Sequence, residues 1–398
     1  MADQFGLSVI AAEDIPADES VVSAPFSLAV THEVAKNALE DISRAYNSHL
    51  ASDNLKRALA GLSERQIICI YICLHWNEEL RAQTTILGHQ SYLDTLPEPS
   101  QLTTPLHFTE DELAAFKGTN LYGATLDRER QWKTEWVGCK EVVSLLNPKW
   151  TDEFTWTRYL TASTYLSSRA FPSTLLSPNP TLQSSPSSYP VLLPGIDALN
   201  HARGAPVSWV IKSRSAQSQV NAAPDTGSSD LSISLVLHSA TPKGHELFNN
   251  YGPKPNSELI LGYGFSLPSN PDDTIVLKIA GSGFSTPADG GAPASSGELG
   301  KWEVGRGGRG ADAVWKQVLS IVSRVRPDET GSAATSETGR GDDARSYEDE
   351  LEAAEILHDM VQSLIDRLPG QVPTGTQLRP AVEKMLHHYL EGTHFTPP

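Results

Sequence analysis

An α+β fold follows from three features of the sequence. Apolar residues in the first thirty positions and between positions 191 and 279 fall in short strand-like runs; residues 34 to 166 repeat at helical spacing; and the last fifty residues are helical again. At the N-terminus, Leu7 to Ala12 and Val21 to Val30 read as strands flanking the turn Asp14-Ile15-Pro16-Ala17-Asp18-Glu19. Two helix entries are marked by capping boxes, Ser63 with Gln66 and Thr109 with Glu112, in which a polar cap precedes its reciprocal acceptor by three residues. The run Ile67 to Leu74 is apolar on nearly every side and predicts a buried helix.

Ser173 to Pro190 and Ser213 to Asp230 are rich in Ser, Pro and Asn and read as surface loops. Strand signals return at Val191–Leu193, Val207–Ile211, Leu231–His238 and Thr274–Ile279, with a short helix at Ser257–Tyr263 capped by Asn256. Ser282 to Gly310 and Arg326 to Arg345 hold too few large apolar groups to fold alone and are expected to be mobile. Helical spacing resumes between Ser346 and Leu368 and again from Arg379 to Leu390. No repeat of fixed period is present.

The 398 residues allow two or three domains. Lys and Arg number 31 against 48 Asp and Glu, so the net charge is 31 − 48 = −17, which disfavours a general nucleic-acid backbone binder and suits a basic protein partner. Three cysteines, Cys69, Cys73 and Cys139, make neither a disulfide framework nor a zinc cluster, so no metal is expected and cytoplasmic or nuclear conditions fit. No apolar run reaches the roughly 18 residues of a membrane span, and the start lacks the regions of a signal peptide. The expectation is an intracellular monomer that binds neither nucleic acid nor membrane.

Two segments set polar residues and tyrosines inside apolar runs: Val191 to His201, ending Asp197-Ala198-Leu199-Asn200-His201, and Gly244 to Phe265, containing Glu246-Leu247-Phe248-Asn249-Asn250-Tyr251-Gly252 and Tyr263-Gly264-Phe265. Asn200-His201 at a strand end is a source of hydrogen bonds, and Tyr251-Gly252 is a phenol beside a backbone able to turn sharply. A plain turn and core tyrosines are the alternative reading of the same residues. These segments resemble the SET-domain protein lysine methyltransferases of the Rubisco large-subunit and fungal ribosomal-protein type, in which an Asp-x-x-Asn-His motif and a Glu-x-Phe-x-x-Tyr-Gly motif cross in a knot. Gly6-Leu7, Asp14-Ile15, Tyr92 to Pro97, Gly118 to Leu121 and Ser168-Arg169-Ala170-Phe171 agree in order, so the resemblance covers about residues 6 to 280. Leu386 to Gly392 extends it weakly into a helical substrate-binding region.

The resemblance implies S-adenosylmethionine-dependent methylation of a lysine on a non-histone protein, such as a ribosomal or translation protein. It implies cofactor contacts from Gly6, Leu7, Ser8, Arg169, Asn200, His201 and Tyr251, catalysis by Tyr251, and a lysine channel lined by Phe171, Tyr263 and Phe265. It further implies SET-core segments at 1–30 and 156–281, a helical insertion at 31–155, a linker with partial structure at 282–345 and an abbreviated helical substrate-binding domain at 346–398. Gly6-Leu7-Ser8 departs from the family's Gly-x-Gly, and if the second glycine position needs positive φ, serine weakens the cofactor turn. That departure, with the shortened ends, motivates an alternative: a SET-fold binding protein with weak or no activity. A scaffold acting through the Gly-rich segment is a weaker alternative. Other motifs carry less. Gly305 to Gly310 fits Gly-x-Gly-x-x-Gly but reads as linker, Cys69 and Cys73 as core packing, and His387-His388 as a solvated helix end. No Gly-x-Ser-x-Gly elbow is present.

Overall fold

The computed structural model describes residues 7–46, 51–81, 86–213, 231–280, 299–325, 347–370 and 378–393. Its strands, in chain order, are β1 (Glu19–Pro25), β2 (Phe171–Pro172), β3 (Pro190–Val191), β4 (Asn200–His201), β5 (Val207–Ser213), β6 (Leu231–Leu237), β7 (Phe248–Asn249), β8 (Thr274–Ala280) and β9 (Leu299–Gly305). The chain divides into two compact units. The first takes residues up to Phe108, Ala124–Lys254 and Glu258–Phe265; the second takes Thr109–Gly123, Pro255–Ser257 and residues from Ser266 onward.

In the first unit, β1, β6 and β5 form an antiparallel sheet in that order, and β2 pairs with β3. Leu235 and Leu237 of β6 join Ala11, Leu199 and Leu247 in one apolar cluster, which places the two polar-apolar motifs against the sheet. The larger core is helical. Helices His32–Tyr46, Glu64–Leu74, Asn120–Leu146 and Trp156–Arg169 bury Leu39, Ile42, Ile68, Ile70, Val143 and Tyr159 together. The Glu64–Leu74 helix has every residue from Ile67 to Leu74 buried, as its all-round apolarity requires, and the Ser63–Gln66 box closes its N-terminus in both directions.

The expected strand at Leu7–Ala12 is reduced to one bridge, Ile10 opposite Glu246, with Ala11 N–H donating to the His245 carbonyl (2.9 Å). Val21–Val30 stops as a strand at Pro25, where proline begins a short 3₁₀ turn at Phe26–Leu28. The loop expected at Ser213–Asp230 falls on 214–230, outside the described residues, apart from Ser213, which ends β5. Among the described residues no helix is long and apolar enough to cross a membrane, and no group of His, Cys, Asp and Glu is placed to hold a metal ion.

The second unit is built on the β8–β9 antiparallel hairpin, whose Leu277, Ile279 and Trp302 pack on Val314, Val318 and Val322 of helix Ala311–Val325 and on Ala353 of helix Tyr347–Arg367. The strand β9 corrects the reading of Ser282–Gly310 as wholly mobile: Trp302 and Val304 alternate toward the helix, and pairing with β8 supplies what the glycine-rich composition lacks. Residues 282–298 and 326–345, the remainder of the expected mobile stretches, lie outside the described residues. The glycine run at 305–310 likewise follows a strand and opens a helix. It is a tight connection in which a Cβ at Gly310 (φ +86°) would meet the Glu303 carbonyl at 2.5 Å. His388 is also buried rather than solvated, its Nδ1 2.9 Å from Ser266 Oγ.

One ion pair in this unit predicts a measurable loss. Glu112, 1% exposed at its side chain, accepts from Arg379 Nε (2.7 Å), Arg379 Nη2 (2.9 Å) and the Thr109 N–H (3.0 Å). Burial pushes its carboxyl up, but the hydrogen bonds from Arg379 and Thr109 outweigh burial and hold it below the ordinary range. A depressed carboxyl contributes stability above its unfolded pKa and loses it as pH falls through the folded value. Arg379→Met, which strands a buried carboxylate, should cost about 3 kcal/mol at pH 7 and less at pH 4, measured by urea unfolding.

Candidate active site

The two motif segments meet side by side. β4 and β7 run parallel, with Asn200 opposite Phe248 and His201 opposite Asn249, and the Ala202 N–H continues the ladder to the Asn249 carbonyl (2.9 Å). A parallel pair cannot be closed by a tight hairpin. The chain therefore travels through β5 and β6 before returning. The return is stabilised by side chains acting as local caps: Asn249 Oδ1 accepts from Asn250 N–H (2.7 Å), Asn250 Oδ1 from Gly252 N–H (2.9 Å), and Asn250 Nδ2 donates to the Ala205 carbonyl (3.2 Å).

Tyr251 emerges at the crossing. Its N–H donates to His201 Nδ1 (3.0 Å) and its hydroxyl donates to the Leu199 carbonyl (2.9 Å), so the β4 segment holds a side chain that leaves the β7 segment. Its ring stacks on His201 (centroids 5.0 Å, 24°) and on Tyr263 (5.2 Å, 28°), and Phe265 stands edge-on at 6.5 Å. Tyr263 and Phe265 are themselves 6.1 Å apart and T-shaped. Burial drives the Tyr251 phenol well above its ordinary value, and burial also raises that of Tyr263, against the opposing pull of Lys254. Both phenols stay protonated at physiological pH.

Tyr263 and Phe265 are presented by the end of helix Asn256–Tyr263, where Gly264 (φ +79°) turns the chain left-handed and donates to the Leu259 and Ile260 carbonyls (3.0 and 3.1 Å). A Cβ there would lie 2.6 Å from Thr103 Oγ1 and 2.8 Å from the Thr103 carbonyl carbon. Gly264→Ala should therefore lose at least about 2 kcal/mol, from left-handed strain plus the clash, and lower the melting temperature by about 5 °C.

Arg169 closes helix Trp156–Arg169, where a cation suits the C-terminal end of the dipole. Its Nη1 donates to the Asp197 carbonyl (3.1 Å) and to Asp197 Oδ2 (3.2 Å), and the Tyr92 hydroxyl donates to the same Oδ2 (2.7 Å). Burial raises the Asp197 carboxyl above the usual range, with Arg169 and Tyr92 pulling the other way. Asn200 Nδ2 donates to Glu246 Oε1 (2.7 Å) and to the Leu7 carbonyl (3.2 Å), tying the N-terminal segment across the crossing.

The structure thus gathers Tyr251, His201, Tyr263 and Phe265 into one aromatic group, with Asn200, Leu7 and Arg169 connected to the same segments. Gly6 lies outside the described residues. Ser8 is exposed, and among the described non-glycine residues only Asp18 and Ser269 have positive φ, so serine fits this backbone without left-handed strain. Phe171 is placed differently: it packs edge-on against Trp209 (5.3 Å) within a cluster of Leu175, Val191, Leu193 and Ile196. Tyr92, Asp197, Glu246 and the Leu199 carbonyl take part without having been given roles from the sequence. All but Tyr92 lie inside the two motifs; Tyr92 opens the Tyr92–Pro97 stretch of the resemblance, but it lies 105 positions from its partner, and nothing local pairs the two. A surface groove lined by His32, Lys36, Glu40 and Lys56 involves none of these residues.

No family model matches the chain. Over 272 residues, 68% of its length, it is 34% identical to a Schizosaccharomyces pombe protein named ribosomal lysine N-methyltransferase set10, and over 97 residues it is 33% identical to ribosomal lysine N-methyltransferase 1 of Saccharomyces cerevisiae. The matched regions span 42% and 14% of those relatives. Among solved structures, the SET domain of LSMT bound to lysine and AdoHcy superposes with a TM-score of 0.66 at 16% identity, covering 99% of this chain and 83% of that one. Rubisco LSMT bound to AdoMet gives 0.64 with the same coverage and identity. The chain folds as a SET-domain protein of the Rubisco large-subunit methyltransferase type, and over two thirds of its length it is similar in sequence to a fungal ribosomal lysine N-methyltransferase.

Proposed function

We propose that the chain is an S-adenosylmethionine-dependent protein-lysine N-methyltransferase acting on a ribosomal or other translation protein. The observation that carries this reading is the Tyr251 phenol, pinned at the crossing of β4 and β7 among His201, Tyr263 and Phe265. The names of the fungal relatives support the substrate class, and the titles of the solved structures support the cofactor.

The donor set fits that cofactor. Arg169, fixed by Asp197 and 25% exposed at its side chain, offers a planar cation to a carboxylate; Leu7, 84% exposed, leaves an apolar surface beside Asn200; and Ser8 fits its turn without strain. Leu7, Ser8, Arg169, Asn200, His201 and Tyr251 would hold it, and when bound it supplies a methyl group on a sulfonium sulfur.

The attacking amine must be neutral. At pH 7 a lysine of pKa near 10.4 is neutral only about once in 2500 molecules, a deficit of roughly 4.6 kcal/mol. Buried rings disfavour the ammonium by desolvation, and the nearby phenols, protonated at this pH, offer no counter-charge. Since the Tyr251 proton is donated to Leu199, its oxygen faces the amine as an acceptor and aligns the nitrogen lone pair. The binding-only alternative loses its motive at Ser8, whose backbone is not left-handed. Incubation with labelled S-adenosylmethionine and ribosomal proteins from cells lacking this gene should give methyl-lysine by mass spectrometry; cofactor binding without transfer would overturn the reading.

A further inference from the structure

Lys254 ends the turn that leaves the crossing. Its ammonium forms an i,i+4 ion pair with Glu258 and hydrogen-bonds the Tyr263 hydroxyl, with Nζ 5.7 Å from the Tyr263 ring centre. The Lys254 side chain is only 19% exposed and that of Glu258 39%. Tyr263 in turn stacks on Tyr251. A cation and an anion are therefore held together one ring away from the phenol proposed to orient the substrate amine. Among the described residues, the other titratable and charged groups facing these rings are His201, stacked on Tyr251, and the Arg169–Asp197 pair, whose opposite charges both act on Tyr251.

We propose that Lys254 and Glu258 are positioning residues that act as a matched pair and keep either charge from shifting the protonation of the lysine amine in the aromatic group, because each cancels the field the other would exert there. The inference rests on the lysine methyltransferase reading. A lone cation beside the rings disfavours a second ammonium and eases deprotonation; a lone anion does the reverse. Burial works against a charged Lys254, yet Tyr263 and Glu258 together hold its pKa above the ordinary lysine value, so the cation persists across the working pH range.

The test is the pH dependence of kcat, which reports groups in the enzyme–substrate complex. It uses S-adenosylmethionine and saturating ribosomal proteins from cells lacking this gene. Lys254→Met should move the midpoint up by about 0.5–1 pH unit, Glu258→Gln should move it down by a similar amount, and the double variant should return it to within about 0.2 unit of the unsubstituted chain. Lys254→Arg, which keeps the charge, should leave the midpoint in place. Unmoved midpoints, or shifts of one sign in both single variants, would overturn the proposal, since a merely structural pair has no reason to produce opposite shifts. Calorimetric S-adenosylmethionine binding and melting temperature identify folded variants, and Glu258→Gln, which removes a partly exposed carboxylate, decides the matter where Lys254→Met fails to fold. Failure of the unsubstituted chain to transfer methyl groups would instead overturn the parent reading, and the pair's role with it.

Discussion

Replacing Tyr251 by phenylalanine should lower the rate of methyl transfer at least about a hundredfold while leaving S-adenosylmethionine affinity within about twofold. The substitution deletes one oxygen, the one whose proton goes to the Leu199 carbonyl and whose lone pairs are proposed to face the amine. The backbone N–H to His201 Nδ1 and both ring stacks survive it. The Leu199 carbonyl loses a donor, at about 1 kcal/mol of stability. That is too little to unfold the chain, so an activity loss this large would be chemical. The measurement is single-turnover methyl incorporation alongside calorimetric binding. A rate within tenfold of the original would remove Tyr251 from catalysis.

Arg169→Met should cost about 3 kcal/mol at pH 7.5, because the Asp197 side chain is 2% exposed and, among the described residues, keeps Tyr92 as its remaining side-chain donor. The pH dependence has a definite sign. Asp197 has a carboxyl pKa raised by burial against the pull of Arg169, and a raised group contributes stability below its unfolded pKa that is lost as pH rises through the folded value. Removing the cation steepens that loss, so the variant should fall further behind at pH 7.5 than at pH 4. Adding Asp197→Asn should recover most of the deficit, and urea unfolding at the two pH values would show it. No recovery in the double variant would mean that Arg169 stabilises by packing its stem rather than by its charge.

Much of the fold was legible where the signal was local. The Ser63–Gln66 and Thr109–Glu112 boxes mark their helices at the residue, since a capping box is complete within four positions. Val207, Leu231 and Thr274 begin strands as alternation and turn residues indicate. What escaped depended on distant partners. β9 carries Gly300 and Gly305 near its ends, and only β8 and helix Ala311–Val325 make it a strand. Leu7–Ala12 has the composition of a strand, but its backbone hydrogen bonds to residues 244–247 close one isolated bridge, Ile10 opposite Glu246, rather than a ladder. At the site, the Asn-His and Tyr-Gly motifs named the segments that cross. Phe171 shows the limit: an aromatic two residues past a helix end has two sides to face, and contact with Trp209, thirty-eight positions on, decides between them.

The parallel pairing of β4 with β7 joins two stretches separated by residues 202 to 247. Closing such a loop costs entropy that grows only with the logarithm of its length, so doubling the intervening stretch adds about 0.6 kcal/mol. A lineage can therefore lengthen the excursion between the two paired stretches at little cost to the pairing itself.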